Sequence, residues 1–204
     1  MTTIYLIRHG QSMYNLQKIV QGSTDHEENT LSPVGVQQAQ KLAKHLDDID
    51  VQAIYSSPYC RAKQTASILV GTRSQKVHIL PGLVEKGVGI LEGHSTQEYH
   101  DSYTKWEAFS EQDRWTKQFV TDEETYEAAS TRMLQAMTTI SKAHPHDIVF
   151  AVSHANAIKA LYYKVADLNL NDPFELENCG YLIIDVLDRT QNVRKMVNTS
   201  EYDK

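Results

Sequence analysis

Ile4-Tyr5-Leu6-Ile7-Arg8-His9-Gly10-Gln11-Ser12 is the stretch on which the fold turns. Four apolar residues in a row, without polar alternation, read as a strand buried on both faces. The run then stops abruptly at an arginine, a histidine and a glycine. A strand hidden on both sides needs covering layers, and the rest of the chain supplies them. Ser32-Pro33 is a helix N-cap with proline at the first helical position. Val36, Ala39, Ala43 and Leu46 then make one apolar stripe. Val51–Ser57 reads as a second strand, and Pro58 opens a second helix striped by Ala62, Thr65, Ala66, Leu69 and Val70, with Gly71 as its C-terminal cap. Val77–Leu80 is a third, short strand.

Further on, Thr121-x-x-Glu124 has the form of a capping box. The long helix it predicts buries Ala129, Met133, Ala136, Met137 and Ile140 and ends at His144-Pro145. Ile148–Val152 is another buried strand, Ile158, Leu161, Tyr162 and Val165 stripe a helix, and Tyr181–Leu187 and Val193–Asn198 are late strands. This alternation predicts an α/β fold: a three-layer α/β/α sandwich with a mostly parallel central sheet. Residues 1–204 are expected to form a single domain, with a helical insertion at about residues 94–127 acting as a lid.

Composition narrows the function. With 20 Lys+Arg against 26 Asp+Glu the net charge is −6, which is wrong for non-specific binding to nucleic acid or anionic membranes. The first apolar run is too short for a signal peptide, and no run approaches a membrane span. The two cysteines, Cys60 and Cys179, form no C-x-x-C motif and read as free thiols of a reducing compartment. A cytoplasmic protein, monomeric or homodimeric, is expected.

In such sheets a site lies at the carboxyl ends of the strands. The first strand runs into Arg8 and His9, the second into Ser57 and Arg61, the third into Glu85, and the fourth into Ser153-His154. Guanidiniums are planar forks suited to phosphoryl oxygens. Imidazoles supply a nucleophile and a donor, and a carboxyl supplies an acid or base. That inventory fits phosphoryl transfer, and the lack of a G-x-x-x-x-G-K loop excludes nucleotide hydrolysis of the P-loop kind.

Arg8-His9-Gly10 with Asn15, Ser56-Ser57-Pro58 with Arg61 and Gln64-Thr65-Ala66, Glu85 before Gly89 and Glu92-Gly93, and Ser153-His154 together resemble the histidine phosphatase superfamily, the phosphoglycerate mutase-like proteins. The resemblance covers about residues 3–187 and is strongest to the short broad-specificity phosphatase branch. It implies a metal-independent phosphomonoester phosphatase with His9 as nucleophile and a phosphohistidine intermediate. Arg8, Arg61 and His154 would clamp the phosphoryl oxygens, and Glu85 would pass a proton to the leaving group. Asn15, Gln21, Gly22 and Ala155 would complete the phosphate site. No cofactor or metal is implied, and the partner is a small phosphomonoester. Two nearby arginines would hold His9 neutral.

The chain departs from the family at Ser23–Thr30, which is longer than usual, at Ala155-Asn156, where small glycines are common, and at Ile90-Leu91, where an aromatic is common. Substrate range is what these changes affect.

Simpler readings compete at several positions. Glu92 rivals Glu85 as proton donor, but Glu85 directly follows the strand. A glycosidase pair of the two has no fixed separation to support it. His144-Pro145-His146-Asp147 is a helix-ending turn that needs no metal. Tyr99, Tyr103, Trp106, Phe109, Trp115 and Phe119 are expected to form the insertion's own core, with one or two reaching the site. A phosphoglycerate mutase is the nearest alternative activity, although 204 residues is short for one. A non-catalytic module on the same fold would have lost one of the five key side chains, and all five are present.

From His94 to Glu127 nine acids meet three bases, which accounts for the whole net charge of −6. An acidic lid would turn polyanions away, so monophosphates with neutral or cationic organic groups are expected over bisphosphates.

Overall fold

In the computed structural model, described for all residues except Thr72, Lys105, Arg189, Asp203 and Lys204, the opening strand β1 (Thr2–Arg8) lies in the interior of one sheet. The other strands are β2 (Ala53–Ser56), β3 (Val77–Ile79), β4 (Ile148–Ser153), β5 (Tyr181–Leu187) and β6 (Thr190–Val197). Their order across the sheet is β3-β2-β4-β1-β5-β6. β1 pairs in parallel with β4, which pairs in parallel with β2, and β2 with β3. β5 is antiparallel to both of its neighbours, β1 and β6.

Alternation along β1 decides what each face buries. Ile4 and Leu6 pack on one side with Met133, Met137 and Ile140 of α6 (Tyr126–Ala143) and Ile158 and Leu161 of α7 (Ala155–Ala166). Ile7 packs on the other side with Ala39 and Leu42 of α2 (Pro33–His45) and Ala62, Ala66 and Leu69 of α3 (Cys60–Val70). The strand has no polar face because both faces carry helices. The three-layer α/β/α arrangement follows from this.

Two expected helix starts move. The long helix is not capped at Thr121. Thr125 is its N-cap and accepts from the Ala128 N–H, while Glu124 is taken by an ion pair with Arg132 at 2.8 Å. α3 starts at Cys60, with Tyr59 as N-cap, so Pro58 lies in the turn ahead of it. β6 starts at Thr190, three residues before the expected Val193, because it pairs with β5 as far as Leu187.

Between β3 and β4 the chain adds α4 (Thr96–Tyr103) and α5 (Glu111–Thr116), each started by a serine N-cap, Ser95 and Ser110. Tyr103, Trp106 and Phe119 pack ring against ring, Phe109 joins through Phe119, and Trp106 and Trp115 reach Tyr126 of α6. The start of this segment is stitched to the loop after α1 (Met13–Leu16) by backbone bonds from Val20 N–H to His94 O, Gly93 N–H to Val20 O and Thr96 N–H to Lys18 O.

Candidate active site

The carboxyl ends of the parallel strands open onto a cavity of about 200 Å³. Arg8, His9, Asn15, Gln21, Gly22 and Arg61 line it, together with Glu85, Ala155 and Asn156.

His9 follows β1 directly and is 4 % exposed. The turn behind it is tight: a Cβ on Gly10 would stand 2.6 Å from the Gly35 carbonyl oxygen, so α2 can approach only a glycine there. The Gly10 N–H donates to Thr65 Oγ1, and Asn178 Nδ2 donates to the His9 carbonyl. His9 Nδ1 lies 2.7 Å from the Gly10 carbonyl oxygen. A carbonyl only accepts, so Nδ1 carries the proton and Nε2 keeps its lone pair. Burial, then the charges of Arg61 and Arg8, push the His9 pKa well below its ordinary value. The imidazole is thus held neutral, in the tautomer a nucleophile needs.

Arg8 is anchored by Nη1 to the Leu176 carbonyl at 2.6 Å. Arg61, fully buried in the first turn of α3, reaches the Gly22 and Thr24 carbonyls at 3.3 Å, and its guanidinium stands 4.9 Å from the Tyr59 ring centre. Asp25 approaches it to 4.0 Å, and the same carboxylate accepts from the Cys60 N–H. The Ser23–Thr30 stretch is therefore closed over Arg61.

His154, the N-cap of α7, is fully buried beneath His9, edge to face at 5.0 Å between ring centres, and does not itself line the cavity. Ser57 Oγ accepts from the Tyr59 N–H and lies 2.8 Å from His154 Nε2. A hydroxyl both donates and accepts, so this contact fixes the ring's position and not its tautomer. Burial and the charge of Arg61 hold the His154 pKa well below its ordinary value too. Ser57 is the residue that sequence reasoning placed in a motif without giving it a task.

Glu85 is 8 % exposed and is held at the start of α7: Oε1 accepts from the Lys86 and Ala157 N–H groups at 2.8 Å, and Oε2 from the Asn156 N–H at 3.2 Å. Glu92 is elsewhere. It accepts from Ser23 N–H and Oγ, from Thr24 Oγ1 and from the Val88 N–H, and it does not line the cavity. Burial raises its pKa, but the bonds from Thr24 and Ser23 outweigh that and lower it. Its work is to tie the Ser23–Thr30 loop to the turn after Glu85.

Asn15 Oδ1 accepts from Ser12 in a capping box, and Gln21 Oε1 accepts from Ser12 Oγ and Asn29 Nδ2. With both amide oxygens occupied, the amide NH₂ groups of Asn15 and Gln21 remain as donors. Of the insertion's aromatics, Tyr99 lines the cavity, beside Thr96 and His100. Sequence reasoning missed Thr96 and His100; the Ser95-x-x-Glu98 capping box was the available signal for the helix that carries them.

Three buried nitrogens in this group have no hydrogen-bond partner: Arg8 Nε and Arg61 Nε, both donors, and His154 Nδ1. All three belong to residues around His9.

The histidine phosphatase superfamily (branch 1) family model matches residues 4–199. The chain belongs to that superfamily. Relatives in the superfamily include an uncharacterized phosphatase of Bacillus subtilis, 29 % identical over 166 residues, covering 81 % of this chain and 78 % of the relative. A metal-independent phosphoserine phosphatase of Arabidopsis thaliana is 29 % identical over 170 residues, covering 80 % of this chain and 68 % of the relative. Among solved structures, a phosphoserine phosphatase from Entamoeba histolytica in complex with phosphoserine is 26 % identical, with a TM-score of 0.83 and 99 % of each chain covered. This histidine phosphatase superfamily member is thus an enzyme with phosphatase or phosphoglycerate mutase-like activity.

Elsewhere, the His144 turn spends its groups on the fold: Nδ1 meets Asp147 at 3.1 Å and Nε2 meets the Tyr55 hydroxyl at 3.0 Å. Among the described residues no group of three His, Cys, Asp or Glu side chains is placed to hold a metal, and no helix is long and apolar enough to cross a membrane. Cys60 and Cys179 are free.

Proposed function

We propose that this superfamily member is a metal-independent phosphomonoester phosphatase that works through a phosphohistidine on His9. The observation that carries the reading is the pair of buried guanidinium donors without acceptors, Arg8 Nε and Arg61 Nε, beside a neutral imidazole in one cavity. A buried unpaired donor is costly. A phosphoryl group in the cavity would supply acceptors to Arg8 and Arg61, which both line it.

In the proposed reaction His9 Nε2 attacks phosphorus. The N–P bond forms as the bond to the leaving oxygen breaks, and that oxygen takes a proton from Glu85. Glu85, now a carboxylate, takes a proton from a water whose oxygen attacks phosphorus. The N–P bond breaks, its electron pair returns to Nε2, and inorganic phosphate leaves. Arg8 and Arg61 neutralise the charge throughout, and Asn15 and Gln21 add neutral donors. The name of the Arabidopsis relative supports metal independence, and the names of two relatives make phosphoserine a candidate substrate.

The test is p-nitrophenyl phosphate hydrolysis in EDTA, with trapping of the phosphoenzyme. Turnover should persist in EDTA, and His9→Ala should abolish it in a folded protein. The trapped species should be labile in acid and persistent in base. An alkali-labile phosphoenzyme, or a strict need for added metal, refutes the proposal. Conversion of 3-phosphoglycerate to 2-phosphoglycerate faster than phosphate release would make the enzyme a mutase instead.

A further inference from the structure

An acidic insertion facing the site would favour neutral or cationic leaving groups, but the structure spends five of its nine acids elsewhere. Glu111 meets Arg114 and Asp113 meets Lys117. Glu123 meets Lys86, Glu124 meets Arg132, and Glu98 caps α4. None of these five lines the cavity. Lys105 and the Glu107 side chain, both counted in that balance, lie outside what the structure describes.

The group that does stand beside the site is a cation. Two clefts adjoin the reaction cavity, and Asn156 and Lys159 line both of them. Asn156 also lines the cavity itself. Lys159 follows Ala155 by one turn of α7, about 6 Å along the axis, on the same helix face. Its ammonium stands 5.3 Å from the ring centre of Tyr163, and no carboxylate among the described residues forms an ion pair with it. The mechanism above gives it nothing to do.

The two clefts differ in charge. One carries Glu175 and Glu177, which would repel an anion. The other, about 480 Å³, has no acid; it is walled by Tyr99, Tyr103, Trp106 and Tyr126 and shares Tyr99 and His100 with the reaction cavity. An organic group extending from the phosphoryl site on that side would pass Asn156 and enter the cleft that the half-buried Lys159 lines.

We infer that Lys159 reads a carboxylate on the substrate's organic part, so that the preferred substrates are phosphomonoesters of hydroxy acids. A monoanion matches one lysine in an aromatic cleft, whereas a second phosphate would bring two charges to a single ammonium. The inference rests on the phosphatase reading above.

The test compares kcat/KM for O-phosphoserine and phosphoethanolamine, which differ only in the carboxylate. The wild type should prefer O-phosphoserine by about tenfold or more, as a charge-assisted contact implies. Lys159→Met should bring the ratio close to one, and Lys159→Arg should keep most of it. Both substrates are measured on the same preparation, so loss of folded enzyme cancels. A ratio near one in the wild type, or a preference that survives Lys159→Met, overturns the inference while hydrolysis of p-nitrophenyl phosphate leaves the phosphatase reading standing. Better turnover of fructose 1,6-bisphosphate than of O-phosphoserine would overturn the carboxylate class. No hydrolysis of any of these esters would instead refute the phosphatase reading.

Discussion

Lys86 directly follows Glu85 and is 1 % exposed, and its Nζ lies 2.6 Å from Oε1 of Glu123, which is 2 % exposed. The pair joins the turn carrying Glu85 to the insertion, and its two ends are unequally supported. Glu123 also accepts from the Tyr103 hydroxyl and, at 2.9 Å, from the Phe119 N–H. Among the described residues the Lys86 ammonium has Glu123 and the Tyr126 ring, 4.9 Å away. Glu123→Gln therefore strands a buried ammonium, which costs about 3–5 kcal/mol. For a chain of this size that is a Tm lower by about 6–20 °C. Lys86→Met leaves a carboxylate that keeps two donors, so its cost should be nearer about 1–3 kcal/mol. The double variant removes both charges and should cost less than Glu123→Gln alone. Urea unfolding followed by far-ultraviolet circular dichroism gives the global values. Fluorescence reports the insertion, because both tryptophans, Trp106 and Trp115, pack against Tyr126. Equal costs for the two single variants, with additivity in the double, would refute the asymmetry argued from their partners.

Two further outcomes are expected. Glu85→Gln keeps the shape of the side chain but holds no transferable proton, so hydrolysis of an alkyl phosphate should fall about 10²–10⁴-fold. p-Nitrophenyl phosphate, whose leaving group needs no proton, should fall far less, and an equal loss for both esters would remove Glu85 from the acid role. His9 and His154 are held neutral in the fold, with pKa values well below those of the unfolded chain. Below the unfolded value near pH 6.5 the unfolded state therefore binds more protons, and stability should fall with pH by up to about 1.4 kcal/mol per unit for each imidazole. His154→Gln should flatten that slope between pH 6.5 and 5 in urea titrations; an unchanged slope contradicts the neutral assignment.

Most of the scaffold was legible because its signals are local. The unbroken apolar run at Ile4–Ile7 announces two covering layers, and Ser32-Pro33 and the stripe from Ala129 to Ile140 report helix positions through capping chemistry and the helical repeat. The Thr121 box misled because Glu124 had another use, an ion pair with Arg132 that no local pattern encodes. The strand-end rule brought Arg8, His9, Arg61 and Glu85 to one cavity, and it favoured Glu85 over Glu92. It could not show that His154 lies under His9 rather than on the wall, or that Glu92 serves as a loop tie.

The sequence by itself determined the layers, the strand ends and which charged and imidazole side chains stand there, since each is written in neighbouring residues or in a helix or strand period. Only the tertiary structure decided which imidazole nitrogen is free, which donors lack acceptors, and where the insertion's charge is spent. Those depend on partners outside the local pattern: Ser57 beside His154, Lys86 against Glu123, and Arg132 against Glu124. A count of charges made the insertion a barrier to anions. In space, five of those acids are held in ion pairs or a helix cap away from the cavity, and a lysine lines the clefts beside it.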